Sequence, residues 1–530
     1  MTDEAPPSVA STSDLLSWRA SATPDDVLVR CGPAVARAGQ LDQAVTRVAR
    51  GLLGLGLRPG DRVGVLLANS MEFVETIFAC SRAGLVQVPL NAYLKGDFLR
   101  HQLVDSGARA VVTDDEGAQA VGALHLAGLE RVIRVGVEYP ELAAAGSDVE
   151  LPDVSPQGLA ALQYTSGTTG LPKACMLSHA YQLRVAQAYY QAGWVSQGER
   201  VFTALPLFHA GGQLAALMTA ILAGGRITFP AAFSASRFMA QAAADEASLV
   251  FGVMAMASAI LASDPAQDPP KGSIGKAIWI PMPAPAQRDF SDRFGCEVTA
   301  EGYGQSEATA ICLNPFDAAE RRPGTLGRPT SIVDMIVVDE NDVEVADGEI
   351  GEMVIRPRVP GAIFSGYWGK PEETLAAFRN LWYHTGDYGR RDPDGFFWFA
   401  DRKKDSIRRR GENVSSVELE QAILAHPGIA EVAVHAVPAE LGEDDIKACV
   451  VAGHATTPEL DELFDFLKQR LPYFAIPRYV EYRSALPKNG VGRVLKHQLR
   501  AEGVTENTHD LQAIGLTVAA DQRRGTTHGN

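Results

Sequence analysis

The chain has 530 residues, of which 46% are hydrophobic and 21% are charged, so it can bury a large core and is long enough for two or more domains. Its formal net charge of -16 argues against a general binder of nucleic acids or anionic membranes, although a local basic groove for a phosphate-rich ligand remains compatible with it. The six cysteines lack C-x-x-C spacing and indicate neither a zinc site nor a disulfide framework, which favours reduced thiols in a cytoplasmic protein.

The N-terminal segment is acidic and polar, so no signal peptide is indicated, and no apolar run is long enough to span a membrane. From Asp61, DRVGVLLANS predicts a buried strand, MEFVETIFACSRAG an amphipathic helix and LVQVPL a second strand. This alternation continues to about residue 330 and predicts parallel α/β sheets. Strand and turn signals dominate residues 332–398, and a further α/β stretch runs from the charged segment Asp401–Arg410 to about Arg500. We expect the first dozen residues and the polar tail from about Val504 to be mobile.

The sharpest motif is Y-T-S-G-T-T-G-L-P-K at Tyr164–Lys173, between an apolar segment and a helix-like stretch. Its glycines let the backbone approach a ligand, its hydroxyl and N–H groups can bind an anion, and its lysine adds a charge suited to polyphosphate. Composition alone would make it a flexible surface loop, and its spacing is not that of the Walker P-loop. The candidate phosphate-binding residues are Thr165, Ser166, Gly167, Thr168, Thr169, Gly170 and Lys173.

This motif resembles the signature loop of the adenylate-forming superfamily, which contains acyl- and aryl-CoA synthetases, adenylation domains of peptide synthetases and beetle luciferases. The resemblance extends from about Gly54 to Arg500, and further motifs follow in the family's order. Taken alone, each of these could be an ordinary loop, turn or solvated linker. They are LPLFHAGG at Leu205–Gly212, EGYGQSEAT at Glu301–Thr309, YHTGDYG at Tyr383–Gly389 and DRKKDSIRRRGENVSSVELE at Asp401–Glu420.

The resemblance implies a nucleotide site built from the earlier motifs. His209 would lie near the acyl carboxylate and gate its access, and Tyr303 would stack on adenine, with Gly304 beside it. Ser306 would offer a hydroxyl to the phosphate where the family usually has threonine. Glu307 would bind Mg²⁺, a hard cation suited to oxygen ligands.

The later motifs imply ribose contacts, a hinge and a path for CoA. Asp387 would accept hydrogen bonds from both ribose hydroxyls, and Arg402 would also contact the ribose. Lys404 aligns with the residue about which the family's C-terminal domain rotates. The pantetheine arm of CoA would pass Gly411, Glu412 and Asn413.

The element pattern and the resemblance together imply an α/β fold with two domains. We expect a large N-terminal domain of parallel α/β sheets, with a small β-rich subdomain, over residues 1–402. A smaller, mobile α+β domain over residues 403–505 would act as a rotating lid, and residues 506–530 would form a polar tail. A homodimer is compatible with the resemblance.

Two features favour the CoA-ligase branch of the superfamily. Domains that activate α-amino acids carry an Asp in the pocket segment, whereas Phe208–Gly211 contains none, and no G-G-x-S carrier motif follows downstream. The expected substrate is therefore a non-amino carboxylic acid, and apolar pocket residues favour a hydrophobic or cyclic one. The expected acyl pocket contains Phe208, Gln213, Met254, Trp279, Met282 and Ala284.

In this family the carboxylate first attacks the α-phosphorus of ATP, with Mg²⁺ present, to give acyl-AMP and pyrophosphate. The C-terminal domain then rotates, and the CoA thiol displaces AMP. Two departures from the family's motifs concern the first half-reaction. Arg493 occupies the position of the family's catalytic lysine, with Lys496 as a candidate substitute one turn later, and Met282–Pro285 replaces the usual G-G-A-P.

These departures lead to the hypothesis that the protein adenylates weakly or not at all and mainly transfers acyl groups from acyl-AMP to CoA. A separate adenylating enzyme would then supply the adenylate. An ordinary two-step ATP-dependent ligase is the alternative that tolerates Arg493. A non-catalytic adenylate-binding homologue and a luciferase-like oxidation of an adenylate also remain open.

Overall fold

The computed structural model of the chain describes residues 9–144, 148–165, 171–316, 319, 321–402, 406–409, 412–439, 444–453, 457–487, 494 and 496–518. Two mostly parallel sheets form the centre of the larger, N-terminal part. The smaller, C-terminal part has a hydrophobic core of its own. This architecture confirms the α/β class expected from the sequence.

The first sheet has seven strands, and all neighbours are parallel except the last pair. Its strands are apolar on both faces because both faces are covered. On one strand, Leu249 and Phe251 join the largest core cluster, while Val250 between them joins a second cluster on the opposite face. In spatial order the strands are Glu297–Thr299, Lys276–Ile280, Leu249–Val253, Arg200–Thr203, Arg226–Phe229, Val27–Cys31 and Ala34–Arg37.

The second sheet has six strands, which in spatial order are Arg131–Arg134, Ala110–Thr113, Arg62–Leu66, Val86–Pro89, Leu159–Thr165 and Lys173–Ser178. The last pair is antiparallel, so the glycine-rich motif joins the two strands of a hairpin. The helix-like stretch predicted directly after the motif is therefore wrong. Residues from Lys173 complete a ladder with the preceding strand, and the helix starts at His179, where the Ser178 hydroxyl accepts the Tyr181 N–H.

Helices pack around these sheets, and local sequence sets where they begin. The helix after the first predicted strand starts where the Ser70 hydroxyl accepts the Phe73 N–H, and it buries Phe73, Ile77 and Phe78. A π-helix, a rare form that recurs at functional sites, follows His209. The helices are Thr12–Ala22, Ala38–Gly54, Met71–Arg82, Gly96–Ser106, Asp115–Gly122, Glu138–Ala144, His179–Gln191, the π-helix Gly211–Met218, Thr219–Leu222, Phe238–Ala244, Met254–Leu261, the 3₁₀ turn Pro265–Gln267 and Ala284–Phe294.

The predicted strand-rich region is present between the sheets and the C-terminal part. One small antiparallel sheet contains Gly302–Gln305, Ala308–Leu313 and Arg328–Pro329. A larger antiparallel sheet contains Val333–Val338, Gly351–Pro357, Phe378–Arg379, Trp382–Arg391 and Phe397–Arg402, with the helix Pro371–Ala377 beside it.

The C-terminal part contains the hairpin Ser406–Arg409 and Glu412–Ser415, a four-stranded sheet and three helices. Its core includes Ile407, Leu419 and Phe464. The predicted boundary near Lys404 lies outside the described residues and stays a prediction. The strands of the sheet are Ile429–Pro438, Asp444–Ala452, Tyr479–Tyr482 and His509–Asp510, and the helices are Ser416–Leu424, Leu460–Lys468 and Lys496–Glu502.

Residues 505–518 fold onto the C-terminal part, contrary to the expectation of a mobile tail from about Val504. Strand His509–Asp510 pairs with Tyr479–Tyr482, and Leu511 is buried in the C-terminal core. Asp510 also pairs with Arg478. Polar composition predicted a free tail, but the apolar contacts of Leu511, Leu516 and Val518 with the C-terminal core and the ion pair of Asp510 with Arg478 dock the segment. Within the described part, no helix combines the length and the apolar character needed to cross a membrane.

Candidate active site

The base of the phosphate-loop hairpin brings Thr165 opposite Lys173 in the strand register. The Lys173 ammonium lies 5.0 Å from the centroid of the Tyr367 ring. The ladder therefore holds the predicted lysine beside the loop that it was expected to serve. Ser166, Gly167, Thr168, Thr169 and Gly170 lie outside the described residues.

Glu307, the predicted metal ligand, lies in a buried polar pocket with only 7% of its surface exposed. Its Oε1 accepts a hydrogen bond from the Tyr367 hydroxyl at 2.8 Å. Burial raises the pKa of the Glu307 carboxyl, while donors on Tyr367 and Cys175 and the charge of Lys173 oppose that rise. The Glu307 carboxyl thus offers oxygen ligands close to the Lys173 ammonium, at the position where the phosphate charge is expected.

Asp387, the predicted ribose ligand, is 3% exposed and is held by two donors. The Tyr303 hydroxyl and Gln305 Nε2 each lie 2.7 Å from its Oδ2. Gln305 Oε1 in turn accepts from the Tyr383 hydroxyl at 3.0 Å. Arg402 pairs with Asp387 through the strand register, so both predicted ribose residues lie at the same point of the sheet.

Gln305 was absent from the predicted site although a sequence signal existed for it. In a strand, alternate side chains share a face, so residues two apart point the same way. Tyr303 and Gln305 occupy such positions in the strand Gly302–Gln305, and both reach Asp387. Gln305 therefore links the proposed ribose contact to the tyrosines around Glu307.

Gly304 lies in the strand Gly302–Gln305, and Ser306 begins the tight turn that follows this strand. A Cβ on Gly304 would lie 2.0 Å from the Thr309 carbonyl oxygen, so the hairpin has no space for a side chain there. The Ser306 carbonyl accepts a hydrogen bond from the buried Tyr181 hydroxyl at 2.9 Å. Backbone packing thus fixes the hydroxyl-bearing residue next to Glu307.

Gly304→Ala is expected to lower the free energy of unfolding by about 1–3 kcal/mol, because the backbone must move to admit the methyl group. Thermal or urea unfolding of the full chain measures the change. Gly122→Ala is the matched control, since a Cβ on this helical glycine meets nothing within 4 Å and should be neutral or stabilising. Equal stability of Gly304→Ala and the wild type would contradict the packing argument.

His209 lies on the short segment between strand Arg200–Thr203 and the π-helix Gly211–Met218. Its ring lies against Phe208, with centroids 4.7 Å apart. Both residues line the cleft described below, and the place of His209 beside an acyl carboxylate stays a prediction. Gln213, predicted for the acyl pocket, is 2% exposed and exchanges amide hydrogen bonds with Gln87.

The other predicted acyl-pocket residues follow the first sheet. Trp279 is fully buried against Phe238 and Phe290, and Met282 belongs to the same cluster. Met254 and Ala284 are half-buried at the starts of their helices. Their roles in binding an acid stay a prediction, and the tryptophan and Met282 are here parts of a packed core.

A cleft of about 130 Å³ opens between the two parts of the chain and collects several predicted residues. Thr165, Phe208, His209 and Ser306 line it from the N-terminal side. Its C-terminal side consists of Val414, Glu418, Leu419, Pro472, Phe474 and Ala475. Burial raises the pKa of the Glu418 carboxyl to about 8.

Aromatic and polar contacts join the two parts at what we call the domain seam, formed by Tyr93, Lys95 and Phe98 against Lys468 and Tyr473. The rings of Tyr93 and Tyr473 meet edge to face, 5.1 Å between centroids. The Lys95 ammonium donates to the Lys468 carbonyl at 2.6 Å. Phe98 packs on the C-terminal core. No sequence signal pointed to these contacts, which join segments more than 350 positions apart.

The C-terminal residues expected at the site are only partly described. Lys404, Gly411 and Arg493 lie outside the described residues, while Glu412 and Asn413 belong to a strand that pairs with Ser406–Arg409. Lys496, the candidate substitute for the family's lysine, bonds within its own domain. Its ammonium lies 2.8 Å from Ser416 Oγ and 2.6 Å from Glu420 Oε1, and it is not among the residues that line the cleft.

Comparison with known proteins gives one consistent picture. The family model described as AMP-binding enzyme matches residues 16–368, and the model for the C-terminal domain of AMP-binding enzymes matches residues 418–493. A feruloyl-CoA synthase from an Amycolatopsis species is 36% identical over 91% of this chain and 98% of its own length.

The solved structures add two states of one similar protein, o-succinylbenzoate CoA synthetase from Bacillus subtilis. A double mutant bound to its product analogue OSB-NCoA has a TM-score of 0.83 and 25% identity, covering 94% of this chain and 99% of that one. The same synthetase in complex with AMP has a TM-score of 0.66 and 26% identity, covering 92% of this chain and 98% of that one.

Proposed function

Since the chain belongs to the family of AMP-binding enzymes, among the acid–CoA ligases, we propose that it forms acyl-CoA from a non-amino carboxylic acid and that thioester formation is its stronger half-reaction. The observation that carries the proposal is the cleft in which Thr165, His209 and Ser306 face Glu418 and Leu419 of the C-terminal part. A ligand in this cleft touches the predicted acyl and phosphate residues and the C-terminal domain at once.

The first half-reaction depends on position and charge. Lys173 and the phosphate loop bind the polyphosphate, Asp387 and Arg402 hold the ribose, and His209 borders the acyl carboxylate. The buried Glu307 carboxylate and the Ser306 hydroxyl offer hard oxygen donors that fit Mg²⁺. When bound, this cation offsets negative charge on the nucleotide phosphates.

The second half-reaction needs a path for the CoA thiol to the acyl-adenylate carbonyl. The C-terminal residues Val414 and Leu419, just beyond Glu412 and Asn413, already line the cleft that His209 lines. The higher TM-score to the synthetase bound to its CoA product analogue than to its AMP complex supports the same arrangement here. In it, the thiol enters past the C-terminal wall, attacks the acyl carbon and releases AMP.

Arg493 is the reason to expect unequal half-reactions. A planar guanidinium is larger than the ammonium that the family uses to contact the acyl carboxylate and α-phosphate. A misplacement of about 1 Å can cost on the order of a hundredfold in rate. Because the family's lysine leaves the site before thioester formation, the second half-reaction should proceed normally, with acyl-adenylate from a separate enzyme where adenylation is too slow.

The acid is proposed to be aromatic and to lack an α-amino group. The similar feruloyl-CoA synthase acts on a phenolic cinnamic acid by its name, and Phe208–Gly211 lacks an acidic partner for an amine. The Phe208 ring at the cleft offers an apolar contact for such a substrate.

A substrate panel tests the proposed activity. The full chain is incubated with Mg²⁺, ATP, CoA and ferulate, benzoate, octanoate or phenylalanine, and parallel samples receive the acyl-adenylates in place of acid and ATP. Mass spectrometry scores the CoA thioester. Feruloyl-CoA is expected, with none from phenylalanine, and absence of thioester from every acid and every adenylate would contradict the proposal.

Tyr93→Ala is expected to slow thioester formation from supplied feruloyl-adenylate about threefold to tenfold, because an aromatic pair contributes about 0.5–1.5 kcal/mol beyond its buried area. Acid-dependent exchange of pyrophosphate into ATP should stay within a factor of about two, since that half-reaction does not use the domain seam. Tyr93→Phe keeps the ring and serves as the control. An equal loss of rate in both half-reactions would rule out a domain seam that acts only in thioester formation.

A further inference from the structure

The segment that carries His209 leaves the first sheet but is held by amide side chains of the second. Segment Leu205–Gln213 follows strand Arg200–Thr203, whereas its amide partners Gln87 and Gln163 lie on strands of the second sheet and Asn69 follows a strand of the same sheet. We call these three residues the amide clamp. Gln87 and Gln163 lie on strands Val86–Pro89 and Leu159–Thr165, and Asn69 follows the neighbouring strand Arg62–Leu66.

Asn69 forms hydrogen bonds with the backbone on both sides of Pro206. Its Nδ2 donates to the Leu205 carbonyl at 2.9 Å, and its Oδ1 accepts the Leu207 N–H at 2.7 Å. Proline has no N–H, so the flanking carbonyl and N–H are the groups that a neighbour can bind. A carboxamide supplies one donor and one acceptor in the required order, which a carboxylate or an alkyl group does not.

Gln163 and Gln87 form the other hydrogen bonds of the amide clamp, one on each side of His209 in the sequence. Gln163 is 6% exposed, lines the cleft and donates from Nε2 to the Phe208 carbonyl at 2.9 Å. Gln87 and Gln213, each 2% exposed, exchange hydrogen bonds of 2.9 and 3.3 Å in the first turn of the π-helix. Buried amides held this way resist displacement, because a group left unpaired costs about 1–3 kcal/mol.

We propose that Asn69 and Gln163 are positioning residues that set the place of His209 at the acyl carboxylate. The inference rests on the proposed function for the identity of the reaction. The clamp fixes the peptide group that precedes His209 and the Gln213 side chain that follows it, relative to the strand that ends in Thr165, the start of the phosphate loop. One edge of the second sheet thereby positions both the acid and the nucleotide, although the residues that contact these two substrates come from both sheets.

Asn69→Asp and Gln163→Glu test the proposal, since each keeps the size of the side chain but removes the donor. Both are expected to lower kcat/KM for ferulate at least tenfold, while KM for ATP stays within twofold. Hydrogen exchange of peptides covering residues 205–213 should become faster in both variants. Gln182→Met is the matched control, because the buried Gln182 amide atoms have no hydrogen-bond partner among the described residues.

The two readouts separate failure of the clamp from failure of the proposed function. Wild-type kcat/KM and wild-type exchange in the clamp variants would overturn the inference. An equal rise of KM for ferulate and for ATP would also overturn it, because general loosening of the site affects both substrates. A wild type that forms no thioester from any acid or any supplied acyl-adenylate would contradict the proposed function, and unchanged hydrogen exchange at residues 205–213 in the clamp variants would then still refute the clamp.

Discussion

Arg493→Lys is expected to raise the rate of acyl-adenylate formation on the order of a hundredfold, because a compact ammonium replaces a guanidinium that misplaces the charge at the reacting phosphate. Acid-dependent exchange of labelled pyrophosphate into ATP measures this half-reaction alone. Transfer of the acyl group from supplied feruloyl-adenylate to CoA should stay within about twofold of wild type, since the residue acts only in the first half-reaction.

Arg500→Lys is the matched control for this result. It makes the same chemical change at an exposed position of the neighbouring helix Lys496–Glu502 and should alter neither rate. An Arg493→Lys variant whose exchange rate equals that of an already fast wild type would identify Arg493 as a tolerated equivalent of lysine.

Glu307→Gln is expected to reduce adenylate formation on the order of a hundredfold or more, because it keeps the size of the side chain but removes the carboxylate charge that would hold Mg²⁺ at the phosphates. Calorimetric titration of ATP should show weaker, less Mg²⁺-dependent binding, which is a readout separate from turnover. Tyr367→Phe removes the hydrogen bond to the same carboxylate but keeps its charge, so a smaller loss is expected.

Stability separates this functional loss from damage to the fold. Burial raises the pKa of Glu307, so the folded state holds its proton more tightly than the unfolded state does. The wild type therefore loses stability as pH rises through the range between the unfolded and folded pKa values. Glutamine does not titrate, so the Glu307→Gln variant without ligands does not lose stability in this way. Its melting temperature should equal or exceed that of wild type at pH 8. A lower melting temperature would indicate a structural role.

Periodicity in the sequence located the elements that form the frame of the site. The strand from Asp61 and the helix from Met71 are confirmed as Arg62–Leu66 and Met71–Arg82. Both depend on local signals, an apolar run and a capped amphipathic stretch. The prediction of a helix after Lys173 was wrong because the short apolar run ACML has no clear period, and pairing with the neighbouring strand makes it a strand.

The contacts that complete the site depend on long-range packing. Gln305 could have been found from strand alternation with Tyr303. Asn69 could not, because its partner Leu207 lies 138 positions away and nothing local links them. The contact of Tyr473 at the domain seam likewise cannot be predicted until the position of the C-terminal domain is known. Trp279 is predicted to line the acyl pocket, and its apolar character does not separate that role from packing in the core, where it is fully buried.

The ratio of the two half-reaction rates in the wild-type protein decides whether thioester formation is its stronger half-reaction. One sample receives ferulate, ATP, Mg²⁺ and CoA, a second receives feruloyl-adenylate and CoA, and initial rates of feruloyl-CoA formation are compared at matched enzyme concentration. We predict that the supplied adenylate is converted at least about thirtyfold faster than acid and ATP, since misplacing the catalytic charge slows only the first half-reaction. Equal rates in the two samples would contradict the account and make the protein an ordinary two-step ligase.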